Sequence, residues 1–316
     1  MFLRTEGPVH MFSDDPPAPS HPEAAPAYSY GSSLKSSHSD ELINLVLMRP
    51  AAGLLVRALY PTRVTPNQVT VASTIAGLIA AGFYLDGSHL FIALGGCLVS
   101  VKDLLDSADG QLARAKQMFS RRGRFLDSIG DFVVNVALFA AIGSVVSRGG
   151  SGAWAWLLAA AGLLGILLRV SYHVYYHTSY LHGIDVYDTN RTTEEVREED
   201  VQGDPFALTL QRIFLALYGW QDRLMVRIDQ WCAQDAIASR DERRQWFGDP
   251  IGLRLSGGIG IATELFFLML FSLVGSLEGY LWWNLCAMNG VWGLSVGYRR
   301  AILRRKLLRR AGVSSP

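Results

Sequence analysis

The sequence has 316 residues, of which 50% are hydrophobic and only 18% are charged, with a formal net charge of +1. Soluble domains carry about 25% charged residues, so this composition argues against an ordinary soluble enzyme. Glu264 is the one formally charged residue in six apolar stretches, which are 69–85, 90–101, 132–146, 153–168, 255–274 and 280–296. A charge at the centre of a bilayer costs about 2.5–3.5 kcal/mol on insertion scales, so this segregation predicts membrane-spanning segments.

We therefore predict an all-α integral membrane protein, a bundle of six transmembrane helices with amphipathic helices at the interface. Several stretches are shorter than the roughly 20 residues that a spanning helix needs, so their helices must continue into polar sequence. If the six helices alternate through the bilayer, every Lys and Arg except Arg148 lies on one side, together with both termini. The positive-inside rule identifies that side as cytoplasmic. We expect a multi-pass protein of the cell membrane, with its termini and active site facing the cytoplasm.

The N-terminal part divides into a polar tail and an interfacial segment. Residues 1–38 are rich in Pro, Ser and Ala and bury too little surface to offset the cost of ordering, which predicts a disordered tail. Residues 39–65 contain an apolar stretch interrupted at Pro50, which predicts cytoplasmic interfacial helices. Thr65, Pro66 and Gln68 combine an N-cap, a proline at the first helical position and a capping-box partner, so the first membrane helix should begin at Pro66.

The most informative segment carries the cytoplasmic ends of the second and third predicted spans. Asp106 and Asp109 are three residues apart on one helix, and Asp127 and Asp131 are four apart on the next. Each pair therefore shares one helix face. The connection between the two helices is short, so they must be antiparallel neighbours. This arrangement predicts that four carboxylates converge at the cytoplasmic edge of the bundle.

Four carboxylates packed together repel one another strongly in a medium of low dielectric constant, so they need cations. Oxygen ligands suit hard divalent ions such as Mg²⁺ or Mn²⁺, which also keep coordination positions for phosphates. Gly110 and Ala113 reduce side-chain bulk beside these acids, and Arg114 can pair with a phosphate. The residues therefore predict metal-assisted phosphoryl transfer.

The same segment matches a known family signature. The pattern D-x2-D-G-x2-A-R-x8-G-x3-D-x3-D is met at every fixed position, by Asp106, Asp109, Gly110, Ala113, Arg114, Gly123, Asp127 and Asp131. It resembles the signature of the CDP-alcohol phosphotransferases, also called CDP-alcohol phosphatidyltransferases. Residues 65–70 also resemble the usual opening of that family, and the resemblance extends over about residues 60–180. It implies a six-helix fold, a homodimer and an enzyme that displaces CMP from a CDP-linked donor, placing the remaining phosphate-bearing group on an acceptor hydroxyl.

The resemblance also implies a role for each matching residue. Two divalent ions, Mg²⁺ or Mn²⁺, would be held by Asp106, Asp109 and Asp127, with Asp131 sharing the second ion. The CDP group would be bound by Asp106, Asp109, Gly110, Ala113 and Arg114. Asp131 would take the proton from the acceptor hydroxyl as the catalytic base. Gly123 would let the third spanning helix approach the second closely.

Several charged residues fall outside the pattern. Arg169, Lys116 and Arg122 are candidate ligands for a substrate phosphate, and the simpler alternative is contact with lipid headgroups. Asp103 fits no family position, so we interpret it as a structural partner for Lys102 or for a neighbouring helix. Glu264 would be costly without a partner, which leaves protonation, pairing with another helix or a dimer seam as alternatives.

The remaining chain divides into four predicted parts. Residues 66–177 comprise the first four spans with the catalytic motif, and 178–253 form a cytoplasmic insert. Within the insert, apolar residues recur at helical spacing between Leu210 and Trp231, which predicts an amphipathic helix pressed on the membrane surface or on the bundle. The acidic run 194–200 is expected to be solvated. Residues 254–306 comprise the last two spans, and 307–316 form a basic C-terminal tail.

The leading hypothesis is a membrane enzyme of phospholipid synthesis, surrounded by membrane lipid, that uses CDP-diacylglycerol and an acceptor alcohol and has no nucleic-acid partner. An alternative enzyme uses a CDP-aminoalcohol or CDP-inositol donor with a lipid or inositol-phosphate acceptor, and residues 120–127 are similar to those of CDP-inositol enzymes. An alternative from another class is a membrane carrier whose acids bind a translocated cation. Carrier sites usually lie near the bilayer midplane on broken helices, whereas these acids lie at helix ends, which favours an enzyme.

Overall fold

The computed structural model describes residues 40–183, 194–237 and 239–310, and every regular element in these ranges is helical. The predicted disordered tail 1–38 and residues 311–316 of the predicted basic tail lie outside the described residues. The all-helical class predicted from the sequence is confirmed.

Helices follow one another along the described ranges with only short connections. In chain order they are α1 (Arg49–Leu59), α2 (Pro66–Asp86), α3 (His89–Lys116), α4 (Arg121–Val146), α5 (Gly152–Gly183), α6 (Glu198–Gln202), α7 (Pro205–Ala233), α8 (Arg240–Phe247), α9 (Pro250–Gly257), α10 (Ile261–Leu273), α11 (Leu277–Trp282), α12 (Asn289–Gly297) and α13 (Arg304–Arg310). Wider π-helical turns at Asn44–Met48, Ser147–Ser151, Trp283–Met288 and Tyr298–Leu303 flank or join them, and Gln234–Ala236 is a 3-10 turn.

Two helical runs in the described ranges are long and apolar enough to cross a membrane, namely α2 and the run Arg121–Gly183. That run contains α4 and α5, which are separated by a non-helical Gly150 with φ of 117°. The pair α9 and α10, bent by 41°, provides a third crossing if it is counted as one span. α3 has 28 residues, but its second half carries Lys102, Asp103 and further acids. The multi-pass membrane class is supported, and the number of six spans stays a prediction.

Local sequence signals explain how the first membrane helices begin and end. α2 starts at Pro66 as predicted, because Thr65 Oγ1 accepts the Gln68 amide at 3.3 Å and Gln68 Oε1 accepts the Thr65 amide at 2.9 Å. α3 ends at Gln117, whose φ of 54° turns the chain away from the helix axis. α4 begins after Ser120, which caps it by accepting the Gly123 amide at 2.9 Å. The short connection between α3 and α4 is therefore bounded by the C-cap of α3 at Gln117 and the N-cap of α4 at Ser120.

A buried ion pair joins α5 to α10. Arg169 and Glu264 are both fully buried, and Arg169 Nη2 contacts Glu264 Oε1. Glu264 Oε2 accepts hydrogen bonds from Tyr280 at 3.3 Å and from Asn284 at 3.1 Å, so both carboxylate oxygens have partners. Of the alternatives that the sequence left for Glu264, the structure selects pairing with another helix. Removing one member of a buried pair typically costs about 3–5 kcal/mol, so this pair strongly couples α5 to α10.

The predicted amphipathic helix is α7, and it packs on the bundle. Its Phe214 ring lies 5.2 Å from the Phe125 ring of α4, and Tyr218 donates a hydrogen bond to the Ser128 carbonyl at 2.7 Å. Further along α7, Asp229 accepts a hydrogen bond from Tyr176 of α5 at 2.7 Å. These contacts lie near the start of α4 and in the last third of α5. α7 therefore crosses the end of the bundle that carries the predicted carboxylates.

The expectation that the acidic run 194–200 is solvated holds for Glu195, Glu198 and Glu199, which are exposed, but is wrong for Glu194 and Asp200. Glu194 accepts a hydrogen bond from Arg121 at 2.9 Å and also pairs with Arg124, while Asp200 pairs with Arg121. Gln211 of α7 donates to Glu194 at 3.0 Å and to Asp200 at 3.1 Å. The two acids therefore connect the first turn of α4 to α7. The sequence did not reveal this because the arginines lie 70 to 79 residues before the acids that they contact.

The hydrogen bonds of Asp200 should stabilise the folded protein less at acid pH than at neutral pH. Burial works against ionisation, but hydrogen bonds from Arg121, the Arg197 backbone amide and Gln211 outweigh it and lower the pKa of Asp200 to about 2. An aspartate in an unfolded chain has a pKa near 3.9, so this stabilisation is complete above about pH 4 and is lost as the pH falls towards 2. We expect the difference in melting temperature between wild type and Asp200→Asn to be constant from pH 8 to pH 5 and to shrink below about pH 4.

Glu199→Gln is the matched control for that measurement, because Glu199 is exposed and adjacent in sequence. Its melting temperature should follow that of wild type throughout. A difference between wild type and Asp200→Asn that persists unchanged at pH 2.5 would contradict the assigned role of the Asp200 carboxylate.

Candidate active site

Three predicted carboxylates converge where α3 and α4 meet. One oxygen each from Asp106, Asp109 and Asp127 lies within 4.8 Å of the other two. Asp109 is buried, whereas Asp106 and Asp127 are half-buried. Helical spacing places Asp106 and Asp109 on the face of α3 that meets α4, and the short α3–α4 connection sets Asp127 opposite them. The arrangement concentrates negative charge in one small volume.

Asp131 lies beside this group and is held by a buried lysine. Lys102 of α3 contacts Asp131 Oδ1 through its Nζ, which also lies 3.5 Å from Asp106 Oδ1. Lys102 is only 3% exposed. The sequence did not predict this bridge, because it suggested Lys102 or a neighbouring helix as the partner of Asp103. Asp103 Oδ2 has no hydrogen-bond partner among the described residues. The spacing of four residues between Lys102 and Asp106 was the one local signal for the bridge.

Thr70 of α2 orients one of the carboxylates. Its hydroxyl donates a hydrogen bond to Asp109 Oδ2 and lies 3.2 Å from the Pro66 carbonyl of the preceding turn. Both Thr70 and Asp109 are buried. A third helix therefore contributes to the site, and the sequence offered no signal for Thr70 beyond its place in the segment 65–70.

Two glycines on α4 allow that third helix to come close. A Cβ atom at Gly123 would lie 2.5 Å from Asn67 Oδ1 and 2.8 Å from Ser120 Oγ, and one at Gly130 would lie 2.5 Å from Thr74 Oγ1. Asn67 and Thr74 both belong to α2. The sequence predicts that Gly123 allows α4 to approach α3 closely. In the structure the helix closest to Gly123 is α2, because the first turn of α4 lies beside the first turn of α2.

The face of α3 beside the carboxylates is open. A Cβ atom at Gly110 would meet only the Arg114 guanidinium, at 3.4 Å, apart from its own helix backbone. Gly110 follows Asp109 directly, and Ala113 lies one turn after Asp109 with only a methyl side chain. Gly110, Ala113 and Arg114 thus lie on α3 within about two turns after Asp106, and their role in binding CDP stays a prediction.

The three basic residues considered as phosphate ligands have protein partners elsewhere. Lys116 donates to the Thr62 and Val64 carbonyls, each at 2.8 Å, and so holds the connection between α1 and α2. Arg122 pairs with Asp204 at 2.8 Å. Arg169 belongs to the buried pair with Glu264. The structure therefore does not bring these side chains into contact with the four carboxylates.

The residues fit a site for divalent cations. All the converging donors are carboxylate oxygens, which hard ions such as Mg²⁺ and Mn²⁺ prefer. Lys102 supplies a single positive charge against four neighbouring carboxylates. The buried position of Asp109 strengthens the mutual repulsion, because low dielectric surroundings screen charge poorly. Divalent cations would balance the remaining negative charge, and the half-buried Asp106 and Asp127 would leave them accessible to a phosphate.

Comparison with known families agrees with this site. The sequence profile of a family described as CDP-alcohol phosphatidyltransferase matches residues 63–234. The matched region contains α2, α3, α4, α5 and α7. It therefore includes all four carboxylates of the site, which lie on α3 and α4, and the amphipathic helix α7 that packs on the bundle.

The chain is also similar to individual curated proteins. It is 36% identical over 78 residues to a bifunctional IPC transferase and DIPP synthase of Aquifex aeolicus, covering 25% of this chain and 17% of that protein. It is 35% identical over 96 residues to a phosphatidylinositol phosphate synthase of Mycobacteroides abscessus, covering 30% and 41% respectively. It is 41% identical over 66 residues to an archaetidylinositol phosphate synthase of Pyrococcus horikoshii, covering 21% and 33%. In each case the match spans less than half the length of the relative.

Proposed function

The chain belongs to the CDP-alcohol phosphatidyltransferase family, and from this membership we propose that it transfers a substituted phosphate group from a CDP-linked donor to an acceptor alcohol and releases CMP. The observation that carries the proposal is the convergence of Asp106, Asp109 and Asp127 within the matched region. The carrier alternative has no comparable support, because its acids would be expected near the middle of broken helices.

In this proposal Asp106, Asp109 and Asp127 would hold two divalent ions, Mg²⁺ or Mn²⁺, with Asp131 as a further ligand. Such ions would supply positive charge against the diphosphate of the donor and the departing CMP. Thr70 keeps the Asp109 carboxylate oriented through its hydrogen bond. The all-oxygen donor set and the mutual distances within 4.8 Å support this assignment.

The protein residues around the ions perform binding and proton transfer. The open face beside Gly110 and Ala113 admits the CDP group, and Arg114 pairs with a donor phosphate. Lys102 holds Asp131 at Oδ1, which leaves Oδ2 to take the proton from the acceptor hydroxyl. The acceptor oxygen forms a new bond to the donor phosphorus while the bond from that phosphorus to CMP breaks. No covalent enzyme intermediate is needed.

We assign CDP-diacylglycerol as the donor and a phosphorylated polyol of the inositol-phosphate type as the acceptor. One relative is named phosphatidylinositol phosphate synthase, which supports both choices, and another is named archaetidylinositol phosphate synthase, which supports the acceptor class. A second candidate, with CDP-inositol as a soluble donor, is favoured by the similarity of residues 120–127 to enzymes of that kind. In either case we propose a homodimer, as the family resemblance implies. Its site and termini would face the cytoplasm, which is supported by the one-sided distribution of Lys and Arg.

The donor is tested by measuring CMP release from purified protein in lipid nanodiscs. CDP-diacylglycerol, CDP-inositol and CDP-choline are each offered with glycerol 3-phosphate, serine, inositol, inositol 1-phosphate and diacylglycerol as acceptors. We expect turnover with CDP-diacylglycerol and inositol 1-phosphate. Turnover with CDP-inositol alone would select the second candidate, and no CMP from any pair would refute the proposed transfer.

Removal of divalent ions should abolish the reaction. Because four carboxylates share one lysine, the donor diphosphate would be repelled from the site without added cations. We expect CMP release to fall to the background rate in excess EDTA and to recover when Mg²⁺ or Mn²⁺ is restored. Unchanged turnover in EDTA after dialysis against chelator would contradict the assignment of the carboxylates as metal ligands.

A further inference from the structure

α7 presents three different sectors around its axis, and only one is explained by packing on the bundle. The first sector faces the bundle and contains buried side chains, among them Leu210, Phe214, Tyr218, Met225 and Asp229. They contact α4 through Phe125 and α5 through Tyr175 and Tyr176. This sector anchors α7. The other two sectors consist of exposed side chains, and Trp231 among them contacts Arg300, whose guanidinium lies 4.7 Å from its ring.

The second sector is an exposed apolar line. Phe206, Ile213 and Trp220 follow one another at intervals of seven residues, which is two helical turns, and Trp231 continues the line three turns later. Their exposed fractions are 58%, 41%, 41% and 54%. Such a row of large apolar side chains, two of them tryptophans, is costly in water and is typical of helices that lie at a membrane interface.

The third sector is a stripe of arginines beside the apolar line. Arg212, Arg223 and Arg227 are all exposed and lie on one side of the helix. None of these three guanidinium groups has a carboxylate partner in the described part of the chain, in contrast to Arg121 and Arg122 on α4. The two acids of α7, Asp222 and Asp229, are both buried on the bundle side. The outward surface of α7 is therefore positively charged without compensation.

The contacts of α7 with α4 and α5 show at which end of the bundle these sectors lie. α7 meets α4 at Phe125 and Ser128, within the first eight residues of α4, and meets α5 at Ser171 and Tyr176, in its second half. This is the end of the bundle that carries the carboxylate site. A helix lying across that end is at the level where spanning helices leave the hydrocarbon and enter the headgroup region.

We propose that α7 is embedded in the headgroup region of the membrane, with its apolar line inserted towards the acyl chains and its arginine stripe bound to anionic lipid phosphates. Adjacent aromatic and basic sectors on one helix match the boundary between acyl chains and negatively charged headgroups. A second copy of the chain is a poorer occupant, because a two-fold symmetric contact would set the uncompensated arginines of the two copies against one another. The surface therefore binds anionic lipid, independently of the reaction that the carboxylates catalyse.

Site-directed spin labelling in nanodiscs tests the apolar line. Cys97→Ser and Cys286→Ser remove the exposed cysteines, while the buried Cys232 is kept. Labels are placed singly at Ile213→Cys and Trp220→Cys, with Asp241→Cys on α8 as the exposed control. We expect oxygen to relax the labels at 213 and 220 efficiently and a water-soluble nickel chelate to relax only the label at 241. Equal access of the chelate to all three sites would overturn the insertion, and protection of 213 and 220 from both reagents would assign the surface to a second copy instead.

The arginine stripe is tested by melting temperature in nanodiscs of phosphatidylcholine alone or with 30% phosphatidylglycerol. Arg223→Gln/Arg227→Gln removes two charges from the stripe, and Arg240→Gln/Arg243→Gln removes two exposed charges from α8 as a matched control. We expect phosphatidylglycerol to raise the melting temperature of wild type and of the control, and the stripe variant to lose at least half of that rise. An equal rise in all three proteins, or no rise in wild type, would overturn the proposal. Neither readout depends on CMP release, so failure of the lipid contact and failure of the proposed transferase function are distinguishable.

Discussion

Asp131→Asn is expected to lower the rate of CMP release at saturating donor and acceptor by roughly 10²–10⁴-fold, the usual contribution of a positioned general base. The amide cannot take the acceptor proton, although its size preserves the packing between α3 and α4. Lys102 would keep a neutral partner at this position in place of a carboxylate. The measurement is a steady-state assay of CMP over a range of acceptor concentrations, which separates kcat from KM.

Asp86→Asn is the control for this substitution, because Asp86 is an exposed carboxylate at the last residue of α2. It should retain wild-type turnover. Asp131→Asn should also retain a rise in melting temperature on addition of Mg²⁺, because Asp106, Asp109 and Asp127 are unchanged. Full turnover in a correctly folded Asp131→Asn protein would remove Asp131 from its role as base.

Lys102→Met should destabilise the metal-free protein strongly and the metal-bound protein much less. The substitution keeps the length of the side chain but removes the one cation that bridges Asp106 and Asp131. Breaking a buried ion pair costs about 3–5 kcal/mol, and we expect the lower end of that range because the two carboxylates keep 20% and 24% exposure. Bound Mg²⁺ supplies positive charge to the same carboxylates, so it should restore most of the loss. Melting temperatures in EDTA and in excess Mg²⁺ measure both states.

Lys306→Met serves as the comparison, because Lys306 is 50% exposed and its Nζ lies as far as 3.9 Å from Asp249 Oδ1. A pair with a long contact and an exposed, solvated lysine contributes about 0–1 kcal/mol, so this variant should melt close to wild type with and without metal. If Lys102→Met lost the same stability in EDTA as in Mg²⁺, its role would be packing alone. If wild type showed no stabilisation by Mg²⁺, the metal assignment itself would fail, which is a separate result.

Much of the site follows from local sequence. The helical period alone puts Asp106 and Asp109 on one face, and the short α3–α4 connection brings Asp127 to them, so three carboxylates could be predicted to meet. The start of α2 at Pro66 was equally predictable, because the capping box is made by residues only three apart. The membrane class follows from the exclusion of charge from the apolar stretches, which depends on composition and not on packing.

The partners of these residues depend on how the helices pack. Thr70 reaches Asp109 from another helix, Lys102 bridges to Asp131 across the helix interface, and Arg169 finds Glu264 at a separation of 95 residues. The acidic run 194–200 has the composition of a solvated surface, and only the position of the α4 arginines gives Glu194 and Asp200 their half-buried ion pairs. Periodicity defines which face of a helix is polar, because it is set by the backbone of that helix. It does not define which other helix that face will meet, because this contact is chosen by the packing of the whole bundle.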